Sequence, residues 1–363
     1  SMPVGYTIEP TVLQEHALNF GSFVFSISTD PEKDNQIIDR TLHEVELAEQ
    51  AGFDAVWLTE HHFDGAVAYA DPVVFGTAVA MRTQRMRIGF AVLEMALYHP
   101  VRLAVQTALL DHLSKGRLIV GTGRGSAYNE YEYIGFGITL DQGRDMLAEA
   151  EELLIKAWTG TNVDHNGRYW HSKFPELRPR PYQKPHPPLL RACISETSVA
   201  EMAKIGRPVL IGVQTVETLR HRLGLYRETM HDAKYSDSQV EHALDETWVQ
   251  RGLVVAESDQ EAQDIAGPAL DRYRKHLLDA RINYNVSEVP AVDPSQPRPP
   301  GEVVEQAFLA GTPSRVAELV DELKDIGARN VMLNANVGQI EPQHVERTLR
   351  LFGEQVISKF KDA

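Results

Sequence analysis

The chain has 363 residues, 43% of them hydrophobic, and carries 51 acidic against 36 basic side chains for a formal net charge of −15. That content can bury one large core or two ordinary ones, and so negative a balance excludes the basic face that nucleic acid requires. No apolar stretch reaches the roughly 18 residues of a membrane span, no basic-then-apolar leader opens the chain, and a single cysteine, Cys193, excludes an internal disulfide or a thiolate metal cluster.

The expectation is a cytoplasmic protein without a membrane or nucleic-acid partner. The opening Ser1-Met2-Pro3 reads as a cloning scar ahead of the native start. Eight short apolar runs follow, at Gly21–Ile27, Ala55–Thr59, Met86–Leu93, Arg117–Gly121, Pro188–Ile194, Pro208–Gly212, Arg251–Ala256 and Asn330–Asn334. They read as buried parallel strands. Amphipathic stretches such as Ile37-Ile38-Leu42-Val45-Ala48 and Val101-Ala104-Val105-Ala108-Leu109 lie between them and read as helices. Gly52, Gly116 and Gly327 stand just ahead of strands, where glycine ends a helix in the left-handed conformation.

Eight strand–helix units predict an α/β fold, a (β/α)8 TIM barrel forming one domain over residues 1–363. A doubly wound open sheet is the rival, but its first strand-to-helix turn normally carries a glycine fingerprint, and Ser26–Asp34 contains no glycine. Two segments stand outside the repeat. Residues 159–187 hold five prolines and a possible hairpin around Val163–His171, and read as an insertion before the fifth strand. Residues 282–302, with Pro290, Pro294, Pro297, Pro299 and Pro300, follow the seventh strand and read as a mobile loop able to serve as a lid.

Three motifs carry chemistry. Thr59-Glu60-His61-His62-Phe63 ends the second strand, at the barrel edge where reactive side chains converge; the plain alternative is a local cap and a solvated loop histidine. Gly121-Thr122-Gly123-Arg124-Gly125-Ser126-Ala127-Tyr128 ends the fourth, where glycines admit close backbone approach and Arg124 offers a bidentate donor for phosphate; a tight surface turn is the alternative. Ser195-Glu196-Thr197-Ser198 opens the helix after the fifth strand, an anion site or an ordinary N-cap. Neighbouring strands would bring the last two motifs together as one monophosphate pocket, with Glu196 turned away or capping. Glu94 and Tyr128 can reach the same mouth, or can be structural.

Further stretches complete a pattern: Ala51–Trp57 ahead of Glu60–Phe63, His99-Pro100-Val101-Arg102, Leu110–Arg117, Gly123-Arg124-Gly125, Gly167-Arg168-Tyr169-Trp170, Pro187-Pro188 before Ser195–Ser198, Gly311-Thr312-Pro313, and a final helix with Leu351-Phe352. In these the chain resembles the bacterial-luciferase-like flavin-dependent monooxygenases, whose barrels bind reduced FMN delivered by a separate reductase. The resemblance implies a two-component monooxygenase that uses FMN and dioxygen, through a flavin hydroperoxide supported by His61, to oxygenate a small organic substrate such as an aldehyde or ketone. It places Gly123, Arg124, Gly125, Tyr128 and Ser195, Glu196, Thr197, Ser198 around the FMN phosphate. Ala91-Val92 falls on a non-prolyl cis peptide packed against the flavin ring. Glu60, His62 and Glu94 become supporting residues, with Glu60 as hydrogen-bond partner of His62. An NAD(P)H-dependent flavin reductase and a homodimer, pairing through Pro72–Met81, are the implied partners. Luciferase alpha chains carry a reactive cysteine where this chain has Gly123, so light emission is not implied. A deazaflavin (coenzyme F420) hydride-transfer enzyme, a non-catalytic flavin-binding protein, and a metal hydrolase using His61, His62 and Asp64 or Glu94 remain alternatives; the leading reading needs no metal.

Overall fold

The computed structural model describes residues 17–125, 128–289 and 298–361. The Ser1-Met2-Pro3 start, Ser126 and Ala127 of the glycine-rich turn, and residues 290–297 of the proline-rich segment lie outside the described residues.

Eight parallel strands form a closed ring: β1 Asn19–Val24, β2 Ala55–Leu58, β3 Arg87–Phe90, β4 Leu118–Gly123, β5 Leu189–Ala192, β6 Val209–Ile211, β7 Trp248–Val255 and β8 Asn330–Asn334. Each pairs with the next in sequence, and β8 returns to β1 with Asn19 opposite Asn330. Helices including Asp34–Gln50, Pro72–Arg82, Pro100–Leu113, Leu140–Thr159 and Val216–Asp232 surround the ring, which gives the expected (β/α)8 barrel. Gly52, Gly116 and Gly327 all take positive φ at the helix-to-strand turns, the conformation for which they were singled out.

Indole rings fill the barrel interior. Trp57 of β2 is wholly buried and meets Trp248 of β7 edge to face, with ring centroids 5.1 Å apart. It lies over glycines of both neighbouring strands: a Cβ on Gly89 would stand 2.4 Å, and one on Gly21 2.6 Å, from its ring atoms. The two glycines are therefore steric vacancies cut for one large side chain.

Several boundaries differ from the sequence reading. β1 ends at Val24 instead of Ile27, and β7 begins at Trp248 instead of Arg251, where the polar Gln250, which lines a cavity, hides a strand position. A further parallel strand, Phe308–Gly311, pairs with Gly252–Val255. It occupies the upper edge of β7 that the three-residue β6 is too short to reach. The helix after β7 runs from Asp259 to Tyr284, so residues 282–284, expected as the start of the proline-rich loop, are helical. They form an exposed last turn. The insertion holds the antiparallel hairpin Thr161–Asn166 and His171–Glu176; Glu149 fastens its turn by accepting the N–H groups of Arg168, Tyr169 and Trp170.

Candidate active site

At the C-terminal mouth of the ring, side chains from β1, β7 and β8 and from the chain just beyond β2 and β3 line a cavity of about 200 Å³, with His61, Ala91, Gln250, Tyr273 and Asn334 in its wall. The β2 strand stops at Leu58, and Thr59 anchors the chain as it crosses the mouth: its N–H donates to the Tyr69 hydroxyl (2.9 Å) and its hydroxyl to the Val24 carbonyl (3.1 Å). The two histidines then part. His61 Nδ1 meets Glu132 Oε1 at 3.0 Å, and the same oxygen accepts the His62 N–H at 3.1 Å. Since a carboxylate only accepts, Nδ1 carries the proton, and the ring, which lines the cavity, keeps Nε2 for exchange. Phe25 braces the imidazole edge to face at 5.5 Å. Burial by itself would lower the His61 pKa, but the hydrogen bond and charge of Glu132, with Asp64 and Glu60 behind it, hold it above its ordinary value.

His62 turns away from the cavity to Glu60, with Nε2 and Oε1 2.9 Å apart. Glu60 is buried and also accepts the Tyr98 hydroxyl (2.7 Å) and the Glu94 N–H (2.8 Å). Burial pushes its pKa up against these bonds. Glu60 and His62 thus form a clamp that shapes the loop presenting His61.

The phosphate-suited elements stand side by side. Thr122 of β4 lies opposite Arg191 of β5, so Gly123–Gly125 and the chain leading to Ser195 leave the same rim. Arg124 makes no ion pair with its guanidinium among the described residues, and its carbonyl accepts the Tyr133 hydroxyl. Gly125, at φ 78°, rests on the Glu94 carboxyl: a Cβ there would lie 2.3 Å from its Cδ. Ser195 caps the helix Glu196–Lys204, accepting the Ser198 N–H at 3.2 Å, while Thr197 is exposed. Glu196 pairs with His221 at 3.3 Å on the following helix. The Ala91–Val92 peptide is cis and packs beneath Gly123, whose hypothetical Cβ would stand 2.6 Å from Val92 Cγ2. Tyr128 is exposed at the rim, its ring under the Arg281 guanidinium at 5.1 Å, and does not line the cavity.

Glu151 joins both arms of this site from behind. Its buried carboxylate takes donors from Arg191, Arg207 and Thr122, and Thr122 also bonds the Leu190 carbonyl at 3.0 Å. Cys193 beside it is buried, which pushes its thiol up to about 11.

The metal set expected as an alternative is not assembled. His62 is turned to Glu60, and Asp64 accepts the Ala66 N–H (2.8 Å) and the Tyr131 hydroxyl (2.6 Å), because the chain leaves the strand before His61 and the local turn consumes both groups. His61 instead groups with Glu94 and Glu132, one ligand-capable atom of each lying within 4.8 Å of the others. Sequence reasoning missed Glu132, which lies on the short helix Glu130–Gly135 behind the glycine-rich turn. Its only sequence signal was proximity to that turn. Phe25, Gln250, Tyr273 and Asn334 were missed too, since nothing local marks an inward-facing residue.

Residues 18–330 match the family model of luciferase-like monooxygenases. The chain belongs to that family. Among its members, the oxygenase component of a flavin-dependent trigonelline monooxygenase from Acinetobacter baylyi is 26% identical over 65% of this chain and 64% of that protein. The solved monooxygenase RslO1 from Streptomyces bottropensis is 26% identical, with a TM-score of 0.81 over 94% of this chain and 100% of that one. The fold is shared at 19% identity by the oxygenating constituent of 3,6-diketocamphane monooxygenase from Pseudomonas putida, a type II Baeyer–Villiger monooxygenase in complex with FMN (TM-score 0.77; 95% and 99% covered). It is also shared at 18% identity by an F420-dependent secondary alcohol dehydrogenase (TM-score 0.71; 94% and 98% covered). The same fold is thus found in a monooxygenase and in a dehydrogenase.

Proposed function

We propose that this protein is the oxygenase of a two-component system, taking reduced FMN from a separate NAD(P)H-dependent flavin reductase and using dioxygen to oxygenate a small organic substrate, an aldehyde, ketone or related compound. The observation that carries this reading is a histidine, held by a buried carboxylate, in the wall of the same cavity as the cis Ala91–Val92 peptide, with Arg124, which makes no ion pair among the described residues, on a nearby strand end. The residues fit FMN: Arg124 and the hydroxyls of Ser195, Thr197 and Ser198 would hold its phosphate, and Ala91-Val92 would back its ring. Bound reduced flavin supplies the electrons that let dioxygen react.

The chain's own residues supply the rest. His61 holds or releases a proton at Nε2 toward the cavity, as general acid or base, while Glu132 fixes its tautomer. Phe23, Phe25 and Phe308 keep the cavity dry, and Gln250 and Asn334 give a substrate polar group something to bind. No described helix is long and apolar enough to cross a membrane, and a cytoplasmic setting suits the reductase partner. A dimer through Pro72–Met81 would use only the outward face of that helix. Val73, Phe75 and Val79 are buried against the barrel, whereas Val74 and Met81 are exposed, as are Leu109 and Leu113 of the next helix.

The test is anaerobic: photoreduced FMN is bound, mixed rapidly with dioxygen, and its spectrum followed. Reoxidation slower than for free FMN, through a lasting near-ultraviolet band that His61→Ala shortens, supports the oxygenase. A return indistinguishable from free FMN refutes it and favours F420 hydride transfer or flavin storage. Binding is checked separately, since Arg124→Met should weaken FMN more than riboflavin.

A further inference from the structure

The helix Val216–Asp232 buries Leu219, Leu223, Tyr226 and Met230 along one stripe, and Arg222 stands within it, where three- and four-residue spacing calls for an apolar side chain. It is 8% exposed. Its Nη2 donates to the Ile194 carbonyl at 2.8 Å, so the guanidinium lies against the peptide leading into Ser195, the N-cap of the helix Glu196–Lys204. Nε and Nη1 are buried with no hydrogen-bond partner, and no carboxylate forms an ion pair with Arg222 among the described residues. A guanidinium keeps its charge in a protein, so its burial calls for an anion. The surroundings do not supply one. Arg191 and Arg207 already share the buried carboxylate of Glu151. Glu196 is taken by His221 at 3.3 Å, and both Glu196 and Glu201 are exposed to water. Even in a chain of net charge −15, the ground beneath this turn is therefore positive. The first N–H groups of the helix add the positive end of its dipole. The outer side of the turn is open to an approaching anion: Ile194 is 68% exposed, and Ser195, Glu196 and Thr197 are exposed with it.

We propose that Arg222 is a positioning residue of a phosphate-monoester site at this turn, and that the anion it lacks within the chain is the phosphate of the ligand. The inference rests on the flavin reading only for the identity of the ester. Arg222 does two things there. Its bond to the Ile194 carbonyl fixes the peptide whose N–H, on Ser195, donates to the Ser198 hydroxyl at 3.2 Å, and so holds the reciprocal cap that opens the helix. Its charge draws the anion from beneath, while Arg124, which makes no ion pair among the described residues, stands on the neighbouring strand end. Hydroxyls and N–H groups alone orient a phosphate but leave its charge unbalanced. A phosphate monoester carries close to two negative charges at neutral pH, so two guanidinium groups match it in a way that an uncharged analogue cannot use.

The test uses wild type, Arg222→Gln, which drops the charge but can still donate to Ile194, and Arg222→Lys, which keeps the charge. Melting is followed against inorganic phosphate at constant ionic strength, and FMN and riboflavin are then titrated into each protein by calorimetry. Phosphate should raise the melting temperature of wild type in proportion to its binding, raise that of Arg222→Lys in part, and leave Arg222→Gln nearly unmoved. The rise is read within each protein, so a change in basal stability does not enter. Arg222→Gln should weaken FMN about tenfold or more, Arg222→Lys should recover part of the loss, and riboflavin affinity should stay the same in all three. Rescue by lysine separates a charge from packing, since a merely structural arginine would not be replaced better by lysine than by glutamine. Wild-type FMN affinity and phosphate response in Arg222→Gln overturn the proposal and leave the flavin reading standing. Equal weakening of FMN and riboflavin overturns it too, by assigning Arg222 to packing, as does the absence of any phosphate response in wild type. A wild type that responds to phosphate but binds no FMN, with the response lost in Arg222→Gln, supports the site and overturns the flavin reading instead.

Discussion

Replacing Glu151 with glutamine tests whether the rim of the barrel is held by one buried carboxylate. Glu151 is 3% exposed and receives Arg191 Nε at 2.6 Å, together with Arg191 Nη2, Arg207 Nη1 and the Thr122 hydroxyl. These donors come from β4, β5 and the turn entering β6, and both arginine side chains are only 16% exposed. The glutamine keeps the shape, removes the charge and turns an NH2 toward two buried cations. Breaking a buried ion pair by removing one partner costs about 3–5 kcal/mol, a large share of the roughly 5–15 kcal/mol that holds a folded domain. With about 2.1 cal/mol/K of unfolding entropy per residue over 363 residues, the melting temperature should fall by about 4–7 °C at pH 7. Burial raises the Glu151 pKa, but Arg191, Arg207 and Thr122 outweigh it and hold it below the usual 4.5. A depressed folded pKa stabilises fully above 4.5 and is lost as pH falls through the lower folded value, so the two proteins should converge in acid. Calorimetric melts over a descending pH series measure both effects. A Glu151→Gln protein melting within about 1 °C of wild type at pH 7, or a gap that persists in acid, would refute the reasoning.

Gly89→Ala forces a methyl to 2.4 Å from the Trp57 ring and should cost about 1–3 kcal/mol by overpacking. The loss should be largely recovered when Trp57→Leu is added, and a double-mutant cycle without coupling would disprove the contact. Gly125→Ala combines a φ of 78° with a clash against Glu94, so it should cost more than the roughly 1–2 kcal/mol of a left-handed alanine alone and weaken FMN binding; unaltered affinity in titration would count against a cradle at this turn. Glu132→Gln should move the His61 titration, followed by NMR, to lower pH, because Glu132 is the largest influence raising it. A His pKa raised on folding stabilises below the unfolded value and ceases to do so as pH rises through the folded one. The variant should therefore lose most stability on the acid side of 6.5, and an equal loss at all pH values would contradict the ion pair.

The barrel was legible because its strands are continuous apolar runs and its helices stop at glycines, both consequences of neighbours in the chain. The positions of His61, Arg124 and Ser195 at strand ends followed from the same alternation, since in a parallel barrel every strand's C-terminal end faces one mouth. What each side chain meets there did not follow. Glu132 stands 71 residues from His61, and Glu151 stands 40 from Arg191 and 56 from Arg207. Such pairs are made by closure of the ring and the packing of helices around it, which no local pattern records. The strand Phe308–Gly311 was hidden for a related reason: it exists because β6 is short and leaves an edge of β7 to be paired. Likewise, Gln250 and Arg251 interrupt the apolar pattern of β7, and only the closed barrel shows that Gln250 faces a cavity while Arg251 is buried. Local pattern thus determined the elements and the edge at which chemistry gathers. Tertiary structure decided the partners, because the free energy of a buried charge depends on what surrounds it in space and hardly at all on its neighbours in sequence.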